Sequence, residues 1–288
     1  MIGPFARVLA LVLLLTSATG AVADDGTPRE DWARLFEDAG VTGTLLVVDE
    51  RAVDERTVDQ HAVDGRAIER NGRRYVHDDA RARQRFVPAS TFKIPHLLFA
   101  LDAGIATDAS QTFRWDGVPR RFAHWNRDQT LAEAMRGSTV WVFQGFAKAL
   151  GERRERRYLR RLDYGNRSVA GGIDRFWLDG GLAISAVEQV DMLRRLRRDA
   201  LPFEVAHQRL VKDLILIERG PGFVLYGKTG WTFDAEPQLG WFIGWVDTAD
   251  GAVFFALNID MPGGAADAPK REAIVRKALV SIGALPAA

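Results

Sequence analysis

The sequence predicts an α+β fold: one antiparallel sheet assembled from both ends of the chain, flanked by the terminal helices, with a helical block inserted between the two strand regions. Three observations predict it. Near the N-terminus, Trp32, Leu35, Phe36 and Ala39 recur at helical spacing and are followed by a strand candidate at 42–48, rich in Leu and Val. From Phe92 to about Arg219 the pattern is mostly helical. After Pro221 it turns to strands at 222–230, 239–246 and 252–259, the last two joined by the turn-rich stretch 247–251, a hairpin signature.

The elements follow in order. Arg7, the apolar run 8–15 and the small-residue site Ala21-Val22-Ala23 read as a secretory signal cleaved near Ala23, too short to span a bilayer. Thr27-Pro28-Arg29-Glu30 reads as a capping box with proline at the first helical position, and Gly40 closes that helix. The polar stretch 50–79 is expected to hold short strands and turns on one sheet edge. Residues 92–101 are apolar almost all round and end at Gly104, the pattern of a helix buried in the middle of a protein. Longer helices are expected at 126–150 and 185–198, with loops at 117–119, 164–166 and 171–172. A final amphipathic helix spans 267–282, with Pro269 near its start. The organisation expected is a signal peptide at 1–23 and a single domain at 24–288. In that domain 24–88 and 220–288 form the sheet part and 89–219 the mainly helical part.

Composition narrows the function classes. The chain has 288 residues, 47% hydrophobic and 27% charged, with a net charge of +1, so a sizeable core is feasible and neither nucleic acid nor a membrane after signal cleavage is indicated as partner. Cysteine is absent, which excludes disulfides, thiolate metal sites and a cysteine nucleophile. The histidines His61, His77, His96, His124 and His207 show no metal-binding spacing, and no metal site is expected. The arginine-rich stretch 151–161 reads as a solvated helix face, because a nucleic-acid site would want interleaved aromatics in a basic domain.

Three short motifs carry chemistry. In Ser90-Thr91-Phe92-Lys93, serine and lysine three apart share one helix face, and a lysine among Phe92, Ile94, Leu97, Leu98 and Phe99 is costly to keep charged. Its neutral amine can accept the serine proton, and the helix N-terminus favours a developing anion. Lys228-Thr229-Gly230, followed by Trp231, ends a strand candidate and offers a backbone N–H for an oxyanion, a hydroxyl and a cation for a substrate carboxylate. Ser138-Thr139-Val140 lies between them, and its serine can pass a proton to the leaving nitrogen of an opened amide. Each alone also reads as an ordinary helix start, strand bulge or helix cap.

In combination and in this order, the motifs resemble the class D β-lactamases, or oxacillinases, along nearly the whole mature chain. Pro88-Ala89-Ser90-Thr91-Phe92-Lys93-Ile94-Pro95 resembles that family's nucleophile segment. Trp125-Asn126-Arg127-Asp128, Tyr164-Gly165-Asn166, Gly171-Gly172-Ile173-Asp174, Phe176-Trp177-Leu178 and the 241–260 hairpin follow in the family's order. The resemblance implies the fold of serine β-lactamases and penicillin-binding proteins, a small-molecule β-lactam as substrate, and a periplasmic or secreted bacterial enzyme. It implies that Ser90 is acylated and that Lys93 is the general base, as a carbamate formed with carbon dioxide and with no other cofactor. Trp177 would donate to that carbamate, with Phe92, Val140 and Leu178 keeping the pocket dry. The N–H groups of Ser90 and Trp231 would form the oxyanion hole, Ser138 would relay a proton, and Lys228, Thr229, Gly230 and Arg271 would line the substrate carboxylate site. Trp231 departs from the phenylalanine or tyrosine more familiar there, which alters pocket shape rather than a backbone donor. Two alternatives share the same serine: a penicillin-binding DD-peptidase and a β-lactam sensor domain. The family includes monomers and dimers, and no residue pattern here decides between them.

Overall fold

The computed structural model describes residues 27–28, 30–51 and 72–287. The expected signal segment, Arg29 and 52–71 of the polar stretch lie outside the described residues.

A seven-stranded sheet forms the centre, in the order β1-β3-β2-β9-β8-β7-β6. Its strands are β1 (Thr27–Pro28), β2 (Gly43–Asp49), β3 (Arg73–His77), β6 (Leu216–Gly220), β7 (Phe223–Trp231), β8 (Leu239–Thr248) and β9 (Gly251–Asp260). Both chain ends meet where β2 pairs antiparallel with β9, Gly43 opposite Ile259 through Asp49 opposite Val253. Among the described residues every pairing in this sheet is antiparallel except β1 with β3. A separate two-stranded ribbon pairs β4 (Thr112–Phe113) with β5 (Gln129–Thr130).

Successive strand side chains point to opposite faces, so each central strand supplies two cores. On one face Leu45, Val47, Leu225, Phe242, Phe255 and Leu257 pack beneath the terminal helices α1 (Glu30–Ala39) and α8 (Lys270–Ser281), which add Trp32, Phe36, Ile274 and Val275. On the other, Leu46, Trp241, Ile243, Trp245, Phe254 and Ala256 join the core of the helical block. Burial on both faces is why β8 and β9 read as nearly unbroken apolar runs. The helical block comprises α2 (Asp79–Arg83), α3 (Lys93–Asp102), α4 (Leu131–Arg136), α5 (Val140–Leu162), α6 (Ala186–Arg197) and α7 (Val205–Leu214). α3 packs against α5 and α7, and its residues from Lys93 to Leu101 are all buried, as its all-round apolar pattern requires.

Three expectations need correction. Thr27 and Pro28 do not open α1 but are extended and pair with Tyr75 and Val76, so the helix begins at Glu30. The helix expected at 126–150 is two helices. Gln129–Thr130 is strand, a capping box between Thr130 and Glu133 starts α4, and α4 stops at Gly137 before Ser138 turns left-handed. α5 is itself interrupted at Gly151 (φ 71, ψ 159). The helical block ends short of Arg219, because Leu216–Gly220 forms the edge strand β6. Among the described residues no helix is long and apolar enough to cross a membrane.

Candidate active site

Two left-handed turns present the chemistry. Ala89 (φ 48) precedes Ser90, which sits in the 3₁₀ turn Ala89–Phe92 that runs directly into α3. Ser138 itself has φ 55. Neither is glycine, and such conformations cost about 1–3 kcal/mol each unless their surroundings impose them. Around Ser138 the imposing groups are visible: Trp125 Nε1 donates to the carbonyl of Gly137 at 2.9 Å, and Trp141 Nε1 donates to the carbonyl of Trp125 at 2.9 Å.

The first turn of α3 brings Lys93 Nζ to 2.8 Å from Ser90 Oγ. Lys93 is fully buried, with the Phe143 ring centroid 5.0 Å from its amine. Burial, and then the nearby charge of Lys228, holds its pKa well below the usual lysine value. Burial thus shifts the amine beside the Ser90 hydroxyl from the ammonium toward the neutral form.

Strand β7 supplies the opposite wall. A side chain at Gly230 would place its Cβ 2.9 Å from the Pro88 carbonyl oxygen and 3.2 Å from Thr91 Cγ2, so only glycine lets the strand lie this close to the serine turn. Gly227 N donates to Ile215 O, away from β8, while Thr232 N donates to Leu239 O of the incoming β8 chain. By antiparallel alternation the N–H groups of Thr229 and Trp231 point away from β8, along an edge that β6, ending its pairing at Tyr226, leaves free. Lys228 Nζ donates to Ser138 Oγ at 3.1 Å and to the Thr229 carbonyl at 3.0 Å, tying strand and helical block together. Arg271, on the first turn of α8, donates from Nη1 to the Gly230 carbonyl at 2.5 Å and from Nε to the Ala268 carbonyl at 2.8 Å.

Lys228 and Arg271 each donate to hydroxyl or carbonyl oxygens and leave a positive field. Burial, with Arg271 adding repulsion, lowers Lys228 to about 7. Burial lowers Arg271 to about 10, opposed by Glu272. Such a field favours an anionic ligand.

The loop after Gly171-Gly172 brings Trp177 into the same core. Its ring lies 5.8 Å from Phe92, and its indole N–H is buried without a partner among the described residues. Asn166 anchors this loop: Nδ2 donates to Gly181 O at 2.7 Å and Oδ1 accepts from Ala183 N at 3.0 Å. Phe92 is fully buried; Val140 is buried at the start of α5, one turn from Phe143; Leu178 is half-buried against the same core. Trp231 is half-buried, with Nε1 donating to Gln238 Oε1 at 2.8 Å. Thr229 faces Phe242 across the sheet and is half-buried.

Ser90 therefore contacts Lys93, Ser138 contacts Lys228 and Gly230 contacts Arg271, while Gly230 lies against the serine turn at Pro88 and Thr91 and Trp177 lies beside Phe92. Sequence reasoning missed Phe143, although its spacing from Val140 on one helix face was a signal. It also missed Phe122 and Phe233, which form a rim with Trp231, the ring centroids lying 5.7 to 6.3 Å apart. Phe122 is distant in sequence from the other two and shares no pattern with them. Among the described residues no group of three or more His, Asp or Glu is arranged to hold a metal ion.

Residues 51–280 match the family described as the penicillin binding protein transpeptidase domain. The chain is 49% identical over 282 residues to the β-lactamase OXA-2 of Salmonella typhimurium, covering 97% of this chain and 95% of that protein. It is 40% identical over 260 residues to OXA-48 of Klebsiella pneumoniae, covering 89% and 91%. Among solved structures, FUS-1, a class D β-lactamase from Fusobacterium nucleatum subsp. polymorphum, superposes with a TM-score of 0.80 at 34% identity, over 90% of this chain and all of the other. The class D enzyme YbXI from Nostoc gives 0.78 at 37% identity, over 88% and 99%.

Proposed function

The chain belongs to the class D β-lactamases, and from that premise we propose that it hydrolyses β-lactam antibiotics through an ester on Ser90. The observation that carries the reading is the 2.8 Å contact between Ser90 Oγ and a fully buried Lys93 amine. Ser90 Oγ attacks the lactam carbonyl as its proton passes to the Lys93 side chain. The N–H groups of Ser90 and Trp231 receive the carbonyl oxygen as it becomes an anion. The carbon–nitrogen bond breaks, and the nitrogen takes through Ser138 the proton that Ser90 gave up to Lys93, with Lys228 beside Ser138 keeping its own. Lys228, Thr229 and Arg271, beside Gly230, hold the substrate carboxylate. Water, deprotonated from the Lys93 position, then cleaves the ester, and product differs from substrate by one water.

Carbon dioxide suits this lysine. Only a neutral amine adds it, and burial shifts Lys93 toward that form. The orphan indole N–H of Trp177 is a donor without an acceptor among the described residues. The carbamate would supply an anionic oxygen base, held by Trp177 and kept dry by Phe92, Val140 and Leu178. The polypeptide as read is a signal peptide, 1–23, and one catalytic domain, 24–288, delivered to the periplasm or the medium.

Intact mass of the mature protein, mixed with a penicillin and followed from seconds to hours, tests the reading. A transient adduct, absent in Ser90→Ala, with many turnovers supports it. An ester that persists for hours after one turnover would point instead to a penicillin-binding DD-peptidase or a sensor, which the transpeptidase-domain match accommodates equally.

A further inference from the structure

The stretch Gly151-Glu152-Arg153-Arg154-Glu155-Arg156-Arg157 has one member that breaks its pattern. All of its arginines are exposed, whereas Glu155 is fully buried. It occupies the position one turn before the buried Tyr158, Leu159 and Leu162, where an apolar side chain would complete the helix face. A buried carboxyl in that place needs a compensating partner. Its partner is His96 of α3, also fully buried, with Nε2 2.7 Å from Glu155 Oε1. The break at Gly151 lets the second half of α5 turn this one acid inward while its first half keeps Phe143 under Lys93.

His96 lies one helical turn beyond Lys93 and touches the rings around the amine. Its centroid is 5.2 Å from Trp177, 5.0 Å from Phe92 in a stacked arrangement, and 6.0 Å from Phe143. The hydrogen bond to Glu155 holds this ring against all three.

We infer that His96 and Glu155 form a buried tether that positions Trp177 and Phe143 against Lys93, and thereby sets how readily Lys93 takes up carbon dioxide. The inference rests on the carbamate proposed above. Without the tether the imidazole turns freely and both polar groups lose their partner. The aromatic wall then loosens, water reaches the amine, and protonation competes with carbon dioxide. His96 and Glu155 are positioning residues, since neither reaches Ser90 nor the ligand.

Two readouts separate positioning from simple stability: the ¹³C carbamate signal of protein equilibrated with ¹³C-bicarbonate, and the bicarbonate concentration giving half-maximal turnover. Glu155→Met and His96→Asn each remove the tether, so a folding failure in one leaves the other. Both are expected to raise the bicarbonate requirement on the order of tenfold, the scale on which outer partners tune a ligand they orient. Glu155→Gln keeps a hydrogen-bonding group of the same shape and is expected to restore the wild-type requirement. An unchanged bicarbonate requirement in Glu155→Met or His96→Asn, with only the melting temperature lowered, overturns the inference. So does a Glu155→Gln variant no better than Glu155→Met. A wild-type protein with no carbamate signal overturns the reading of Lys93 itself, which the variants do not test.

Discussion

Lys93 shows how a single residue can be held against its own solvation preference. Its pKa lies well below its ordinary 10.5, so the unfolded chain keeps a proton that the folded protein releases. Between the folded value and 10.5 the unfolded state binds more protons, and this group therefore makes stability rise with pH across that window. Lys93→Met is expected to abolish turnover, to stabilise the fold at pH 7 by about 1–2 kcal/mol, and to flatten that slope, as read by urea denaturation at pH 7 and 9. Lys228, lowered to about 7, gives a prediction for binding. Its positive charge is lost as pH rises through 7, while Arg271, at about 10, stays charged. KM for a carboxylate-bearing substrate should rise above pH 7. Arg271→Ala should raise KM throughout and move that inflection upward, because the repulsion depressing Lys228 is gone; KM measured from pH 5.5 to 9 checks both. At this scale the contact of Ser90 with a buried Lys93 was legible, because serine and lysine three apart share one helix face and the residues around that lysine are apolar. The left-handed Ala89 and Ser138 were not, because nothing in alanine or serine favours that backbone, which tertiary contacts impose.

Among elements, the loop carrying Trp177 depends on a residue outside it. Asn166 closes that loop by bonding Gly181 and Ala183. Asn166→Ala removes those bonds at an exposed position and should lower stability by about 0.5–1.5 kcal/mol. It should also slow ester cleavage more than ester formation, which the steady-state fraction of acylated protein measures during turnover. The buried helix α3, the final hairpin and the terminal helices were legible from periodicity. The expected helix at 126–150 failed because apolar spacing continues across the break, although the Thr130 and Glu133 capping box already marked a fresh start. Reading 151–161 as a solvated face was right for its arginines and blind to Glu155. One acid at an apolar position was the available signal.

For the whole molecule, the two ends of the chain share one core. Trp32 Nε1 of α1 donates to Ser281 Oγ of α8 at 3.0 Å, and both helices cover the same sheet face. Truncation after Asp267 removes Arg271 together with Ile274, Val275, Ala278 and Leu279 from that core. The truncated protein is expected to lose cooperative unfolding and to be digested by trypsin under conditions where the full chain survives. The antiparallel sheet built from both ends was legible because its strands cluster at the two ends of the sequence. Its order, and the parallel contact of β1 with β3, were not, since pairing between distant strands leaves no local trace.

Gly230 presses against the carbonyl of Pro88 and Lys228 reaches across to Ser138, so the working parts straddle the junction between sheet and helices. Neither side holds a complete set. Mild denaturant that separates them by an ångström or two, with every helix and strand still formed, should silence the enzyme. Activity lost at lower urea concentration than far-ultraviolet circular dichroism would reveal this, making turnover itself the most sensitive gauge of whether the halves remain shut.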